Sequence, residues 1–364
     1  MSQATREIPE RIAIAGAGVA GAWLYRALAD LGRTADVYEV PDRATACGIH
    51  PCAWGVSADF FRGMKSDPID PEAYVTNRIA WVDLEGRKIP GELYLINKPR
   101  LVRTLLDGAH VNYTPIPAGR YDRVLDCTGA ARAFLPPTGQ PDVPARTVQM
   151  RMHVPALPDD TIRLRYGEIG YCWVFPLGNH RFHVGAVGLP ERGRDVREML
   201  GLAGFLDENG QMAGYGGEEI CSCESSIRLT GAPGALPHVA DDSRLGCPVW
   251  GVGESIGTVS PITGEGIMHA VRCAGLYLEH EGDPAAYSDA VVREFSWMAD
   301  ERKIVEKAMA GRGLSLPDWR ILQRNAASMG IRMGVPDLLA VLRTLLAQRR
   351  IHLSTLIPRP PVAR

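Results

Sequence analysis

The sequence predicts an α/β protein in which a doubly wound parallel sheet is interrupted by an inserted antiparallel sheet and followed by a helical segment. Three observations carry this expectation. A buried strand, a glycine-rich turn, a helix and a second strand succeed one another across residues 11–40, the order of a βαβ unit. From about Pro144 the pattern changes to short strands separated by turn residues, as an antiparallel sheet requires. At residues 248–252 a buried strand returns, again with a glycine-rich turn and a helix behind it.

Taken in order, residues 11–15 (RIAIA) read as a buried strand, and residues 19–31 as a helix stopped by Gly32. Ala20, Leu24, Ala27, Leu28 and Leu31 form its apolar side, at the spacing of a 3.6-residue turn. Residues 34–40 read as the second strand, 98–108 as a helix and 122–127 as another strand, while 41–72 show no clear period. Segments 146–153, 161–168, 171–177 and 180–188 read as short strands, with a turn at Gly178-Asn179. A helix is expected at about 264–280, and an amphipathic one over 285–310 with Val291, Phe295, Met298 and Val305 on one side. The last stretch is helical and ends in a proline-rich, basic tail.

Composition narrows the function classes. The chain has 364 residues, 46% apolar and 23% charged, enough for two domains. Its 40 Lys and Arg against 42 Asp and Glu give a net charge of −2, which favours no nucleic acid partner. The opening MSQATREIPE is polar, and eight cysteines in a chain this long fit thiols in a reducing, cytoplasmic setting. No apolar run reaches bilayer length, so any membrane contact is expected to be peripheral.

Gly16-Ala17-Gly18-Val19-Ala20-Gly21 lies between a strand and a helix. In such a turn the first glycine makes the bend, the second admits a pyrophosphate to the backbone, and the third allows close helix–strand packing. The helix N-terminus then offers N–H groups to the phosphates. Glu39 ends the second strand, 18 residues after Gly21, where a carboxylate accepts ribose hydroxyls and repels a 2′-phosphate. The unit is therefore read as a Rossmann-type dinucleotide-binding fold.

The C-terminal half argues for FAD over NAD. Residues 249–267 read VWGVGESIGTVSPITGEGI. A strand ends at Gly251-Val252-Gly253-Glu254, and a loop with Ser260-Pro261 leads into a helix opening at Thr263-Gly264-Glu265-Gly266-Ile267. A second helix N-terminus beside the isoalloxazine would stabilise the charge that develops there on reduction. This segment resembles the second FAD motif of the geranylgeranyl reductase family, with its Pro-x-Thr-Gly-Glu-Gly-Ile run. Asp126-Cys127-Thr128-Gly129 is similar to that family's Asp-Ala-Thr-Gly strand end. Pro51-Cys52-Ala53-Trp54-Gly55-Val56-Ser57 resembles its Pro-Cys-Gly-x-x-x-Ser loop, and Tyr171-x-Trp173-x-Phe175-Pro176-x-Gly178 its Tyr-x-Trp-x-Phe-Pro-x-Gly signature. The likeness spans roughly residues 10–280. Three departures stand out: Glu254 replaces the usual aspartate, Ala53 the glycine after the loop cysteine, and the stretch before Asp126 is short enough to lack a hairpin.

The resemblance implies an FAD-binding domain over 1–142 and 240–284, an antiparallel substrate domain over 143–239, and a helical region over 285–364. It implies cofactor contacts from Gly16, Gly18, Ala20, Gly21, Glu39, Cys52, Gly55, Lys98, Arg100, Asp126, Gly129, Gly253, Glu254, Pro261, Gly264, Gly266 and Ile267. It also implies reduction of carbon–carbon double bonds in isoprenoid or prenyl-lipid chains, with electrons from an external donor such as ferredoxin or NAD(P)H. A flavin monooxygenase or halogenase, or an electron carrier to a quinone, are the other readings of the same fold.

Several residues admit two readings. Cys52 is a redox or proton-donor thiol or a buried filler, with Cys47 the alternative if the loop is misplaced. Tyr171, Trp173 and Phe175 alternate at strand spacing and share one face, as catalytic pocket lining or plain sheet core. Lys98 and Arg100 touch the cofactor or begin a solvated helix. Cys221 and Cys223 lack a second pair at metal spacing, so no zinc is expected. His50, His180, His183 and His269 have no assignable partners. The tail from Asp337, with Leu338, Leu339, Leu342, Leu345 and Leu346 beside Arg343, Arg349 and Arg350, packs on the body or meets a membrane surface.

Overall fold

A computed structural model of the chain describes residues 10–40, 52–63, 69–167, 170–188, 197–310 and 312–337. Cys47, His50, Pro51 and the leucine-rich tail beyond Asp337 lie outside these residues.

The first sheet has six strands. Its centre is β1 (Ile12–Ala15), all four residues buried, paired in parallel with β2 (Ala35–Tyr38) and β7 (Arg123–Asp126). Burial on both faces suits the continuous apolar run of RIAIA. β6 (Val111–Asn112) extends one edge beside β2, and β14 (Cys247–Gly251) joins β7 in parallel. β13 (Val239–Asp242) closes the other edge as an antiparallel hairpin partner of β14. Helix α1 (Val19–Asp30) makes the first crossover and packs against α5 (Ile267–His280), which follows the last glycine-rich loop. The predicted apolar side of α1 holds at Ala20, Leu24 and Leu28, but Leu31 is 63% exposed. It caps the helix beyond Asp30, past the last turn that faces the sheet.

The second sheet has eight strands in the order β12-β8-β11-β10-β9-β4-β5-β3. The four strands read from the sequence are present as β8 (Pro144–His153), β9 (Thr161–Tyr166), β10 (Gly170–Gly178) and β11 (Arg181–Gly188). The β10–β11 turn centres on Asn179 and His180, both left-handed, one residue later than expected. β12 (Glu218–Arg228) was not foreseen.

Neither were β3 (Gly55–Ser57), β4 (Val75–Leu84) and β5 (Arg87–Ile96), which also join this sheet. The sheet therefore draws on chain well before residue 143. β4 and β5 form a hairpin across Glu85 and Gly86, with φ of 54° and 83°, as a two-residue type I′ turn demands. β4 pairs with β9 in parallel, a long-range contact that local periodicity does not report.

Helix α2 (Asp59–Gly63) follows β3, α3 (Lys98–Leu105) follows β5, and α4 (Glu198–Leu202) covers the second sheet. The single helix expected over 285–310 is two: α6 (Pro284–Glu294) and α7 (Trp297–Met309). The break lets Phe295 and Met298, 2% and 0% exposed, both enter the core of the first sheet. Helix α8 (Leu316–Ser328) packs on α7. Beyond it, Ile331 bridges Gly91 of β5, and Gly330 O accepts the Glu92 N–H at 2.8 Å.

Candidate active site

The glycines of the first turn do different work. Gly16 has φ of 102°, and a Cβ there would stand 2.4 Å from Cys127 O. A Cβ on Gly21 would stand 1.9 Å from Gly16 O, so the helix approaches the turn this closely only because Gly21 lacks a side chain. Gly18 meets nothing within 4 Å; it is open to the cavity. No side chain caps α1, and Gly18, Val19 and Ala20 face one large cavity. Glu39 lines the same groove, its Oε2 accepting Ala17 N at 2.9 Å and its Oε1 accepting Val40 N at 2.7 Å. A carboxylate has about four lone-pair sites, so capacity remains for ribose hydroxyls.

Asp126 sits behind the groove. It is wholly buried, and it accepts Thr128 N (3.0 Å), Thr128 Oγ1 (2.6 Å), Phe134 N (3.0 Å) and Leu135 N (3.2 Å). It shapes the loop that presents Thr128 and Gly129 to the cavity. Glu254 lines the cavity, and its Oε1 accepts Arg228 N at 2.9 Å. Arg132, left-handed and buried, ties this corner together by donating to the carbonyls of Pro136, Ala235, Ser255 and Pro237 at 2.7–3.0 Å.

At the other end of the groove, Pro261, Gly264, Gly266 and Ile267 line the cavity. Here the structure departs from the simple picture of a bare helix N-terminus. Glu265 Oε1 already accepts Met268 N at 2.9 Å, and Oε2 pairs with His269 Nε2 at 2.8 Å. Burial works against the Glu265 charge, but His269 and the helix amides outweigh it and hold the carboxyl below its usual range. Burial likewise opposes protonation of His269, and Glu265 outweighs that and holds the imidazole above its usual range.

The aromatic strand faces the cavity. Tyr171, Trp173 and Phe175 pack in one cluster, while Cys172 and Val174 pack in another on the opposite face. Tyr171 and Trp173 stand 5.6 Å apart, ring to ring. The Trp173 indole fits because β11 opposes it with Gly185, where a Cβ would come within 2.4 Å of the ring. The Tyr171 hydroxyl donates to Thr263 O at 2.6 Å, tying this sheet to the loop before α5. Burial, with Tyr166 and Cys52 nearby, pushes that phenol up, so it remains a neutral donor. Cys52 is half-buried and lines the cavity with Ala53. Behind them His183 is wholly buried, its pKa pushed down to about 3 by burial and by Arg151.

Groove and aromatic wall belong to one cavity of about 1780 Å³, larger than the roughly 300–1,000 Å³ of a single-ligand pocket. Its far part is apolar, closed by Leu164, Ile304, Trp319, Met329, Ile331 and Met333. The last five come from the helical region after residue 285. Glu301 also reaches this wall, 1% exposed; it accepts Ser260 Oγ at 2.6 Å and Asn325 Nδ2 at 2.8 Å. Burial raises its carboxyl above the usual range against those donors. Its signal was legible: Glu301 lies between Met298 and Val305 on the stripe marked as apolar.

Not every expected cofactor residue reaches the cavity. Arg100 points away, donating to Ala73 O at 3.0 Å and stacking over Tyr74, because two helical residues after Lys98 the side chain has swung to the opposite side. Lys98 does line the cavity. Gly21, Gly55, Asp126 and Gly253 support it from behind. A Cβ at Gly55 would stand 2.7 Å from Phe175, and one at Gly253 3.0 Å from Ala20. Cys221 is disulfide-bonded, against the expectation of thiols, since spacing along the chain does not report which sulfurs fold together; Cys223 is free. Among the described residues no cluster of His, Cys, Asp or Glu could hold a metal ion.

An uncapped α1, an open Gly18, a carboxylate lining the groove and the groove's length fit FAD, and the fold is that of FAD-dependent oxidoreductases. No family model and no curated protein matches the sequence. Solved structures do match in fold. A geranylgeranyl bacteriochlorophyll reductase-like protein from Thermoplasma acidophilum is 17% identical, with a TM-score of 0.63 over 96% of this chain and 99% of that one. Xcc4156, a flavin-dependent halogenase from Xanthomonas campestris, is 15% identical, with a TM-score of 0.58 over 98% and 87%. The peptidyl tryptophan dihydroxylase QhpG is 17% identical, with a TM-score of 0.53 over 92% and 79%.

Proposed function

We propose that this chain is an FAD-dependent reductase of carbon–carbon double bonds in isoprenoid chains, of membrane lipids or prenyl precursors. The observation that carries the reading is the apolar chamber that continues from the dinucleotide groove and is walled by Tyr171, Trp173 and Phe175. The match to the reductase-like protein over nearly the whole of both chains supports it. Electrons come from an external donor, ferredoxin or NAD(P)H.

Bound FAD supplies the hydride. An isolated prenyl double bond has no carbonyl to polarise it, so a proton must reach the second alkene carbon as the hydride reaches the first. Cys52, facing the cavity, holds that proton on its thiol and acts as general acid. The ring faces of Tyr171, Trp173 and Phe175 stabilise cationic character at the protonated alkene by about 0.5–2 kcal/mol each. The apolar far wall keeps water from capturing that charge. Tyr171 keeps its own proton, engaged with Thr263 O.

The test mixes chemically reduced protein anaerobically with a geranylgeranyl lipid and follows flavin reoxidation by stopped flow and product by mass spectrometry. Wild type should form the saturated chain, and Cys52→Ala should retain FAD but slow the step about 10²–10⁴-fold. Equal rates would remove Cys52 from the chemistry. No reoxidation by any prenyl lipid, with fast reoxidation by oxygen and an oxygenated or halogenated product, would replace the reading with the monooxygenase or halogenase one.

A further inference from the structure

A second cleft lies behind the loop that carries Cys52. It measures about 670 Å³ and is lined by Trp54, Asn97, Arg103, Arg151, Asn179 and Arg181, among others, with no carboxylate among the described residues of its lining. Cys52 and Ala53 face the main cavity, whereas Trp54 faces this cleft, so three residues separate the two spaces.

The three arginines come from separate elements. Arg103 is in the last turn of α3, Arg151 is on β8, and Arg181 begins β11. Among the described residues none of the three forms an ion pair, although most other arginines do. Arg151 is half-buried, its guanidinium stacked 5.1 Å from the Trp54 ring and its Nη2 donating to the neutral His183 Nε2 at 3.4 Å. Its buried Nε has no hydrogen-bond partner among the described residues. Lys98, which also lacks an ion-pair partner among the described residues, stands near enough to His183 to disfavour its protonation. Three guanidinium groups held together with no counter-charge among the described residues repel one another and leave donors unsatisfied. A multiply charged oxyanion removes both costs, since guanidinium forks match phosphate oxygens in geometry and charge.

We propose that this cleft is a binding site for the phosphate or diphosphate group of a small molecule, held by Arg103, Arg151 and Arg181. The concave shape and the recessed Arg151 suit a compact ligand rather than a flat protein surface. Two sources carry that group: the dinucleotide of a nicotinamide donor, or the head of a prenyl phosphate. In either case the anion sits on the back of the 52–54 loop, and Trp54 is the contact through which its binding reaches the main cavity.

The experiment titrates inorganic pyrophosphate into FAD-loaded protein at low chloride by calorimetry; bound FAD fills the dinucleotide groove and keeps pyrophosphate out of it. Saturable binding at one site per chain is expected. The double variant Arg103→Ala/Arg181→Ala alters only exposed side chains and should bind about 100-fold more weakly, roughly tenfold for each lost charged contact. Arg151→Gln should weaken binding at least as much and shift Trp fluorescence. No saturable binding at millimolar pyrophosphate, or equal affinity in the double variant, would overturn the proposal. Competition then separates the sources: pyrophosphate displaces NADPH if the donor uses the cleft, or geranylgeranyl diphosphate if the substrate does. The binding assay reads no turnover, so its result is independent of whether the chain reduces alkenes.

Discussion

Two glycines three residues apart make opposite demands on the same turn. Gly18 is extended, with φ of −76° and ψ of −167°, and a methyl there would meet no protein atom. Gly18→Ala should therefore leave the apo chain as stable as before, or more so by about 0.4–1 kcal/mol, yet weaken FAD binding because the methyl stands where the pyrophosphate must approach. Gly21→Ala drives a Cβ to 1.9 Å from a backbone oxygen and should cost about 3 kcal/mol or more. Thermal melts of apo protein beside FAD titrations separate the two; equal loss of stability in both variants would contradict this division. The Glu265–His269 pair gives a pH signature. His269 is raised from about 6.5, so its contribution is full below about pH 6.5 and is lost as pH climbs through the folded pKa. Glu265 is lowered from about 4.5, so its contribution is full above about pH 4.5 and is lost as pH falls through its folded pKa. The pair thus supports the fold most between roughly pH 4.5 and 6.5. His269→Gln strands a buried carboxylate and should lose about 3–5 kcal/mol near pH 6, with a flatter decline toward pH 9. Urea melts across that range check it, and an unchanged profile would count against the pair.

At the scale of elements, β10 and the α7–α8 unit build the chamber between them. β10 brings its aromatic face to the cavity, and Tyr171 ties that strand to the loop before α5. Helix α7 fastens the same loop from the other side through Glu301 and Ser260, and α8 joins through Asn325. The chain after α8 then adds to β5 at Ile331. Gly330 permits this, with φ of 83° and space for a Cβ only 2.3 Å from Glu92 O. Gly330→Ala should detach residues 330–333 from β5 at a cost of about 1–3 kcal/mol, raising hydrogen exchange in α8 and weakening apolar ligands, while FAD affinity stays within about twofold because the groove lies at the opposite end. Unaltered exchange in α8 would show that this contact does not close the chamber.

For the molecule as a whole, the proposed function requires an apolar substrate to reach the chamber. Among the described residues no helix is long and apolar enough to cross a membrane. The chain ends in a leucine-rich stretch with Arg343, Arg349 and Arg350, a composition suited to an anionic surface, where basic residues and shallow apolar contact act together. Full-length protein should co-sediment with anionic vesicles at low salt, and deletion of residues 337–364 should lower this binding while FAD stays bound. Full-length protein that ignores such vesicles would remove the membrane from the account.

The dinucleotide unit was legible because its signals are local: the Gly16, Gly18 and Gly21 spacing, the RIAIA strand and Glu39 all fall within one βαβ segment. The alternation of Tyr171, Trp173 and Phe175 declared a face in the same way, since strand geometry alone puts them together. Tertiary structure decided what that face looks into. The parallel pairing of β4 with β9, the addition of Ile331 to β5, and the union of Arg103, Arg151 and Arg181 join residues tens to hundreds of positions apart, and no periodicity records such contacts. Asp126 and Arg100 show the limit most plainly: a motif names the residue, but only packing decides whether its side chain turns toward the cavity or into the frame that holds it.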